Sequence, residues 1–518
     1  MSSENEKIIK AAGVVGSATM LSRILGFVRD VLIASIFGAS LSADAFFVAF
    51  RIPNLFRRFT GEGSLTASFI PVFTEFLSTH SKKDARRLVG SAFIVFALLL
   101  ALLTILGIIF SPFLVELISP GFGETSGKLD LTIKLTRFMF PYLFFVSLVA
   151  LCMGILNSLK HFAAPALAPV LLNISIISTI LFLSGYLEEP VFALAIGVIL
   201  GGILQLLFQI PFLRAYEMLP IFNTSLLSPP LKKIGMLMIP SIIGLSVHQL
   251  NILVTTRFAS NLADGSVSYL YYADRLVELP LGVFGISLAT AILPSLSEYA
   301  FKGEKDKLKE TLSYSLRLVL FISIPSMIGL IILREPIISV LFQRGEFTHA
   351  DTLGTAHALL YYSFGVAAFS AVRILASVFF SLKDTLTPVK VAGVSVFVNL
   401  IFCLILIGPL RHGGLALATS LASILNVVLL FAILRKRLGS ILEKGFALSV
   451  LKISIASVIM GILVYYISSF GDWAEGTFLV KLSLLFFSLV VGSVTFFFFT
   501  YILKCQELRA IKDLLRRR

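Results

Sequence analysis

Charge is scarce in this chain. Only 14% of its 518 residues are Asp, Glu, Lys or Arg, against about a quarter in ordinary soluble domains. With 57% hydrophobic residues and a mean hydropathy of +0.96, there is too little polar side chain to clothe a globular enzyme. Cysteine is nearly missing as well. Cys152, Cys403 and Cys505 are far apart, in or beside apolar stretches, and form no CxxC pair. That spacing excludes a disulfide framework and a thiolate metal site. No GxxxxGK[ST] loop is present, so ATP hydrolysis within the chain is not expected, and neither HExxH nor a histidine cluster points to a metal. The six histidines are scattered, and His248 reads as a structural partner. The glycine-rich GEGS at 61–64 suits a helix break better than a nucleotide cradle. No loop is long enough for a soluble basic face, so the net charge of +14 does not indicate nucleic acid.

What remains is apolar. Forty-seven phenylalanines against a single tryptophan suit helices that face lipid tails. Runs near the length needed to cross a bilayer begin at about 10–37 and 42–77 and end at 449–469 and 478–503, about fourteen in all. The fold class expected is an all-α polytopic membrane protein. The N-terminus, MSSENEKIIK, mixes acids with bases, and no small-residue cleavage site follows, so a removable signal peptide is not expected.

Alternate loops differ sharply in basic residues. One side collects Lys82, Lys83, Arg86 and Arg87, then Lys232 and Lys233, then Lys302 to Lys309, then Arg435 to Arg437, and ends in Arg516, Arg517 and Arg518. The other offers FGASLSAD, SGYLEEP, NLADGS and SFGDWAEG, with scattered bases such as Lys128, Arg344 and Arg411. The excess of bases on the cytoplasmic side of membrane proteins predicts both termini in the cytoplasm, in keeping with an even number of spans.

The chain also repeats itself at an offset of about 222 residues. SLTASFIPVFTEF (64–76) resembles SLATAILPSLSEY (287–299), SLKHFAAP (158–165) resembles SLKDTLTP (381–388), and GILQLLFQIPFLR (202–214) resembles SILNVVLLFAILR (423–435). The repeat predicts two lobes of about six helices, 1–222 and 223–440, and two further helices with a basic tail in 441–518. An even helix number per lobe gives both the same orientation, a parallel pseudo-twofold that transporters use to rock about a central site.

Against this apolar background the charges stand out. Residues 22–30 read SRILGFVRD, which places Arg23, Arg29 and Asp30 mid-run, where an ionised group costs about 2.5 kcal/mol or more. The second run carries Asp44, Arg51, Arg57, Arg58 and Glu62. YYADRLVELP (271–280) carries Asp274, Arg275 and Glu278, and Arg257 and Arg373 lie in later runs. At about 100° per residue, Arg23 and Asp30 share a helical face, as do Arg51 and Arg58, and Asp274 and Glu278. Plainer readings stay open: Arg57 and Arg58 could snorkel to the headgroups, Asp30, Asp44 and Asp274 could only neutralise arginines, and Arg257 and Arg373 could be interfacial anchors. Taken together, arginines outnumber carboxylates, which suits an anionic ligand. A guanidinium grips phosphate oxygens two at a time, so a pyrophosphate headgroup is the natural candidate.

These residues carry a resemblance. SRILGFVRD … GASLSADAFFVAFRIPNLFRRFTGEGSLTASFIPVF resembles the N-terminal hallmark of the MurJ (MviN) lipid II flippases. PALAPVLLNISI (165–176), SYLYYADRLVELPLGVFGISLATAILPSLS (268–297) and SLKDTLTPVK (381–390) extend the likeness along nearly the whole chain. The family sits in the multidrug/oligosaccharidyl-lipid/polysaccharide exporter superfamily, with two six-helix lobes and two further helices. The resemblance implies a transporter, not an enzyme, that moves lipid II from the cytoplasmic to the periplasmic leaflet of the inner membrane by alternating access. It implies headgroup binding by Arg23, Arg29, Arg57 and Arg275, with Asp30, Asp44 and Glu62 at the cavity or its gates. Ser22, Asn54, Arg58, Asp274 and Glu278 stand beside these as supporting or gating residues. The resemblance implies that the helices after the second lobe hold the lipid tail; LVVGSVTFFFFTYIL (489–503) could supply that surface, and a plain lipid-facing helix explains it equally well.

One departure stands out. Some members of the family hold sodium with two aspartates, an asparagine and a threonine. Asn399 and Thr419 match here, but Thr255 and Cys403 occupy the aspartate positions. No cofactor is expected, and coupling to membrane potential, protons or sodium stays open. Expected partners are lipid II and membrane lipids, with the cell-wall synthesis machinery as a candidate. Rival readings are a related exporter of another polyprenyl-pyrophosphate oligosaccharide or of drugs, and a membrane glycosyltransferase. A cationic-drug exporter calls for a carboxylate-rich cavity, and a glycosyltransferase for a large extramembrane loop.

Overall fold

A computed structural model describes residues 2–60, 64–221 and 228–508. Glu62 lies outside the described residues, as do the side chains of Arg58 and His248 and the basic tail from 509 onward. Among the described residues regular structure is helical throughout. That follows from the solvent: in hydrocarbon every backbone N–H and C=O must be paired within the segment, and a helix does this.

The chain divides into two compact units, residues 1–264 and 265–518. The first holds α1 (Ser2–Phe37), α2 (Leu41–Thr60), α3 (Ser64–Thr79), α4 (Lys82–Ile109), α5 (Ser111–Ile118), α6 (Lys128–Met139), α7 (Pro141–Ser158), α8 (Ala163–Leu183), α9 (Phe192–Ala215) and α10 (Pro229–Ser260). Here α8 packs between α1 and α9, α7 packs on α9 and α3, and α2 packs on α6. Without a hydrophobic drive between helices in lipid, close approach depends on small residues. A Cβ at Gly197 of α9 would stand 2.3 Å from Thr179 Oγ1, and one at Gly201 2.7 Å from Leu172 Cδ1. These two glycines let α9 lie against α8. Helix α10 belongs to the second half of the sequence repeat yet packs on α3 in the first unit.

The second unit holds α11 (Ser266–Pro280), α12 (Ser287–Lys302), α13 (Lys305–Ile332), α14 (Arg334–Phe342), α15 (His349–Ser363), α16 (Val366–Ser381), α17 (Leu386–Leu438), α18 (Phe446–Ser468) and α19 (Phe478–Ile502). At 53 residues, α17 would run about 80 Å at 1.5 Å per residue, far beyond a hydrocarbon core of about 30 Å. It breaks at Arg411 (φ 50°, ψ −131°) into two arms. A Cβ at Gly414 would lie 2.2 Å from the Leu406 carbonyl oxygen, so the corner closes only on glycine. One apolar core joins α12, α13, α16 and α17 through Leu296, Leu312, Ile374, Phe379 and Leu434. Another joins α13, α18 and α19 through Phe321, Ile453, Val464 and Phe496.

Eight of the described helical segments, with α6 and α7 counted as one, are long and apolar enough to cross a membrane, or nine with α15 and α16 taken as one bent span. The protein is therefore a multi-pass, all-helical membrane protein. Among the described residues the apolar runs are largely helical, which is consistent with about fourteen spans.

Candidate functional site

Arg29 and Asp30 are neighbours on α1, positions whose side chains do not normally face each other on a helix. The arginine is long enough to fold back. Its Nε and Nη2 both donate to Asp30 Oδ1, at 3.0 and 2.7 Å, and its Nη1 donates to Asn173 Oδ1 on α8 at 3.0 Å. Asn173 Nδ2 in turn donates to the Ser22 carbonyl at 3.0 Å, one helical stretch back along α1. Arg29 is 8% exposed and Asp30 3%. A buried charge is tolerable only when paired and hydrogen-bonded, and this cluster does both within one unit.

The other arginines are placed differently. Arg23 is exposed, although it shares a helical face with buried Asp30. Arg57, half-buried on α2, donates from Nε to Asn54 Oδ1 at 2.6 Å, one turn back. Arg51 donates to the Thr256 hydroxyl of α10, and Arg257 of α10 donates to the Leu117 carbonyl. Asp44 pairs with a lysine rather than an arginine: Lys128 Nζ lies 2.8 Å from its Oδ2 and 2.7 Å from Asp264 Oδ1. That lysine, which the sequence places among scattered loop bases, is fully buried at the first position of α6 and sits 4.2 Å over the Phe122 ring.

In the second unit Arg275 of α11 donates to Glu278 Oε2 at 2.9 Å and to the Tyr271 hydroxyl at 3.0 Å, and lies over the Tyr271 ring. Asp274 and Glu278 are exposed, as is Arg373 on α16. A different buried cation, Arg317 of α13, pairs with Glu443 at 2.7 Å and bonds Gln506, tying the segment after α19 to the unit. The sodium positions are also visible. Cys403 Sγ approaches Asn399 Oδ1 at 3.9 Å, both buried, and the Thr419 hydroxyl bonds back to the Leu415 carbonyl. Thr255 lies on α10 in the first unit, bonded to the Asn251 carbonyl. These positions supply an amide, hydroxyls and a thiol but no carboxylate, so they lack the negative charge that would favour a sodium ion. Among the described residues no three His, Cys, Asp or Glu side chains cluster as a metal would need.

Between α18 and α19 runs a cavity of about 560 Å³, lined by Ile459, Ile462, Leu463, Tyr466, Val494, Thr495, Phe498 and Phe499. Its walls are almost wholly apolar, and four of the eight residues come from α18 and four, at helical spacing, from the 489–503 run. Asn173, Lys128 and Asp264 are the residues that reading the sequence alone does not single out. Asn173 leaves a trace, as an amide in the apolar run of α8. Lys128 and Asp264 lie in short polar segments and look like any loop charges.

Family and fold make this polytopic helical bundle a transporter rather than an enzyme. Its fold is that of the MOP exporters: a multidrug resistance MATE family transporter in an inward-facing conformation aligns with a TM-score of 0.70 over 83% of this chain and 98% of its own, at 16% identity. The chain belongs to the lipid II flippase MurJ family, whose model matches residues 33–484. A probable lipid II flippase MurJ of Buchnera aphidicola subsp. Acyrthosiphon pisum is 39% identical over 501 residues, covering 96% of this chain and 97% of the relative. The lipid II flippase MurJ of Burkholderia cenocepacia is 37% identical, covering 83% of this chain and 84% of the relative. A solved lipid II flippase MurJ in an inward closed conformation aligns with a TM-score of 0.81 over 97% of this chain and 99% of its own, at 29% identity.

Proposed function

We propose that this protein flips lipid II from the cytoplasmic to the periplasmic leaflet of the inner membrane by alternating access, with both termini in the cytoplasm. The observation that carries the reading is the family match along residues 33–484, within which Arg29 is buried and held by Asp30 and Asn173. Arg23, Arg29, Arg57 and Arg275 bind the pyrophosphate–sugar headgroup. Arg29 already spends two donors on one carboxylate oxygen, so binding exchanges Asp30 for a phosphate oxygen of like charge and geometry. Asn173 holds the third donor during the exchange. Arg23, exposed and without a hydrogen bond or ion pair among the described residues, is the guanidinium that needs no exchange. The apolar cavity between α18 and α19 takes part of the polyprenyl tail. Membrane lipids fill the rest of the surface, and the cell-wall synthesis machinery that consumes the product is the candidate partner.

Without carboxylates at Thr255 and Cys403, sodium coupling through those positions is disfavoured, which leaves the electrical or proton gradient. The test is depletion of the protein in cells lacking a redundant flippase, followed by measurement of lipid II on the outer leaflet. Exposure falls if the reading holds, and unchanged exposure sinks it. Repeating the measurement while collapsing sodium, proton and electrical gradients one at a time identifies the coupling.

A further inference from the structure

We infer that Lys128 is a positioning residue for transport: it latches the crossover between the two units, through a bond to Asp264 that opens and closes during the cycle. The inference rests on the flippase reading above.

The placement of Lys128 is costly unless it serves a purpose. It opens α6 directly after Gly127, which is in the left-handed region at φ +78°, and a cation at a helix N-terminus opposes the helix dipole. Its ammonium is buried between two carboxylates and a ring face. Neutrality calls for one carboxylate only, and the two differ. Asp44 is 1% exposed and has no access to water, whereas the Asp264 side chain is 45% exposed and can turn to water. The Asp44 bond is therefore the permanent arm of the network and the Asp264 bond the releasable one.

Asp264 is the last residue of the first unit. The chain passes through Gly265, at φ +88°, straight into α11, the helix that carries Arg275. Other bonds converge on the same end of α10. Arg51 holds Thr256, Arg257 holds the Leu117 carbonyl, and Gly121 abuts this turn so closely that a Cβ would lie 2.3 Å from the Ser260 oxygen. The segment from 256 to 264 is thus clamped to α2, α5 and α6, and the acidic partner of its final tie reaches water. A releasable tie at the point where the chain leaves the unit controls how freely the crossover moves.

The test uses the full chain in nanodiscs and in depleted cells, with Asp264→Asn, Asp264→Glu and Lys128→Arg. The readouts are amide hydrogen exchange over residues 257–265, thermal stability and the rate of lipid II exposure. Asp264→Asn leaves the Lys128–Asp44 pair intact, so stability is retained. Exchange over 257–265 rises about fivefold or more and lipid II exposure slows by a similar factor, the range of a site-to-site coupling. Asp264→Glu and Lys128→Arg, which keep the charges, restore both. Unchanged exchange in Asp264→Asn overturns the latch, and raised exchange with an unchanged flipping rate overturns its role in transport. If the wild-type chain itself fails to support lipid II exposure, the flippase reading fails, while the exchange measurement still decides whether the latch exists.

Discussion

Asn173 and Arg29, 144 residues apart in sequence, meet at 3.0 Å, and the same amide reaches the Ser22 carbonyl with its other end. One side chain of α8 therefore fixes both the arginine and the stretch of α1 that leads to it. Gly26, between the two contacts, is not needed for this approach: a Cβ there would lie 3.6 Å from Asn173 Nδ2, in ordinary contact.

Asn173→Leu keeps the volume but leaves Arg29 Nη1 and the Ser22 carbonyl without this partner. Loss of the hydrogen bond to the charged guanidinium costs about 1.5–3 kcal/mol. We expect a lower thermal stability in detergent and weakened complementation of a depleted strain. Unchanged values of both would show that α8 does not hold Arg29.

Arg29→Lys preserves the charge but not the fork. A lysine cannot reproduce the double bond to Asp30 together with the bond to Asn173. A lost charge-assisted hydrogen bond is worth about 1.5–3 kcal/mol, which corresponds to a drop of about tenfold to a hundredfold in flipping rate. Arg29→Glu should abolish complementation while the protein still inserts in the membrane, as read by its level in membrane fractions. Full activity of Arg29→Glu would remove Arg29 from the site.

A pH signature is expected at the start of α17. The Thr387 hydroxyl and amide, bonded to Asp384 at 2.6 and 2.9 Å and joined by Arg437, hold the Asp384 carboxyl down at about 2, from an ordinary 3.8. A carboxyl depressed in the folded state stabilises above its ordinary value, and that contribution is lost as the pH falls from 3.8 toward 2. Asp384→Asn should therefore lower thermal stability at neutral pH. The gap from wild type should close between about pH 4 and pH 2. A gap constant across that range would mean that the ion pair and cap contribute nothing through charge.

The corner of α17 is sensitive to a single methyl group. Gly414→Ala places a carbon against the backbone oxygen of Leu406, which cannot rotate away as a side chain would. Overpacking of this kind costs about 1–3 kcal/mol, so a fall in thermal stability is expected, with a smaller effect from Gly408→Ala, whose Cβ meets nothing within 4 Å.

Ile462→Arg puts a charge into the wall of the α18–α19 cavity. If the polyprenyl tail lies there, flipping of long-chain lipid II slows while a short-chain analogue is moved at the wild-type rate. Equal slowing of both would place the tail elsewhere.

Hydropathy, loop charge and the internal repeat determined by themselves that this is an all-helical membrane protein with arginines in its spans, because those properties sum over residues taken one at a time or at a fixed offset. Chain proximity along a helix even anticipates the Arg57–Asn54 and Arg275–Glu278 contacts, each three residues apart. Burial is another matter, since it depends on which helix covers which face. Arg23 and Asp30 share a face of α1, yet one is exposed and the other buried. Only tertiary structure decided that Arg29 is held by Asn173 from α8. It also turned Lys128 from an apparent loop base into the buried centre of a network with Asp44 and Asp264. A lone lysine or aspartate in a short polar segment carries the same local signal whether water or another chain segment neutralises it, and the partners here lie 84 and 136 residues away.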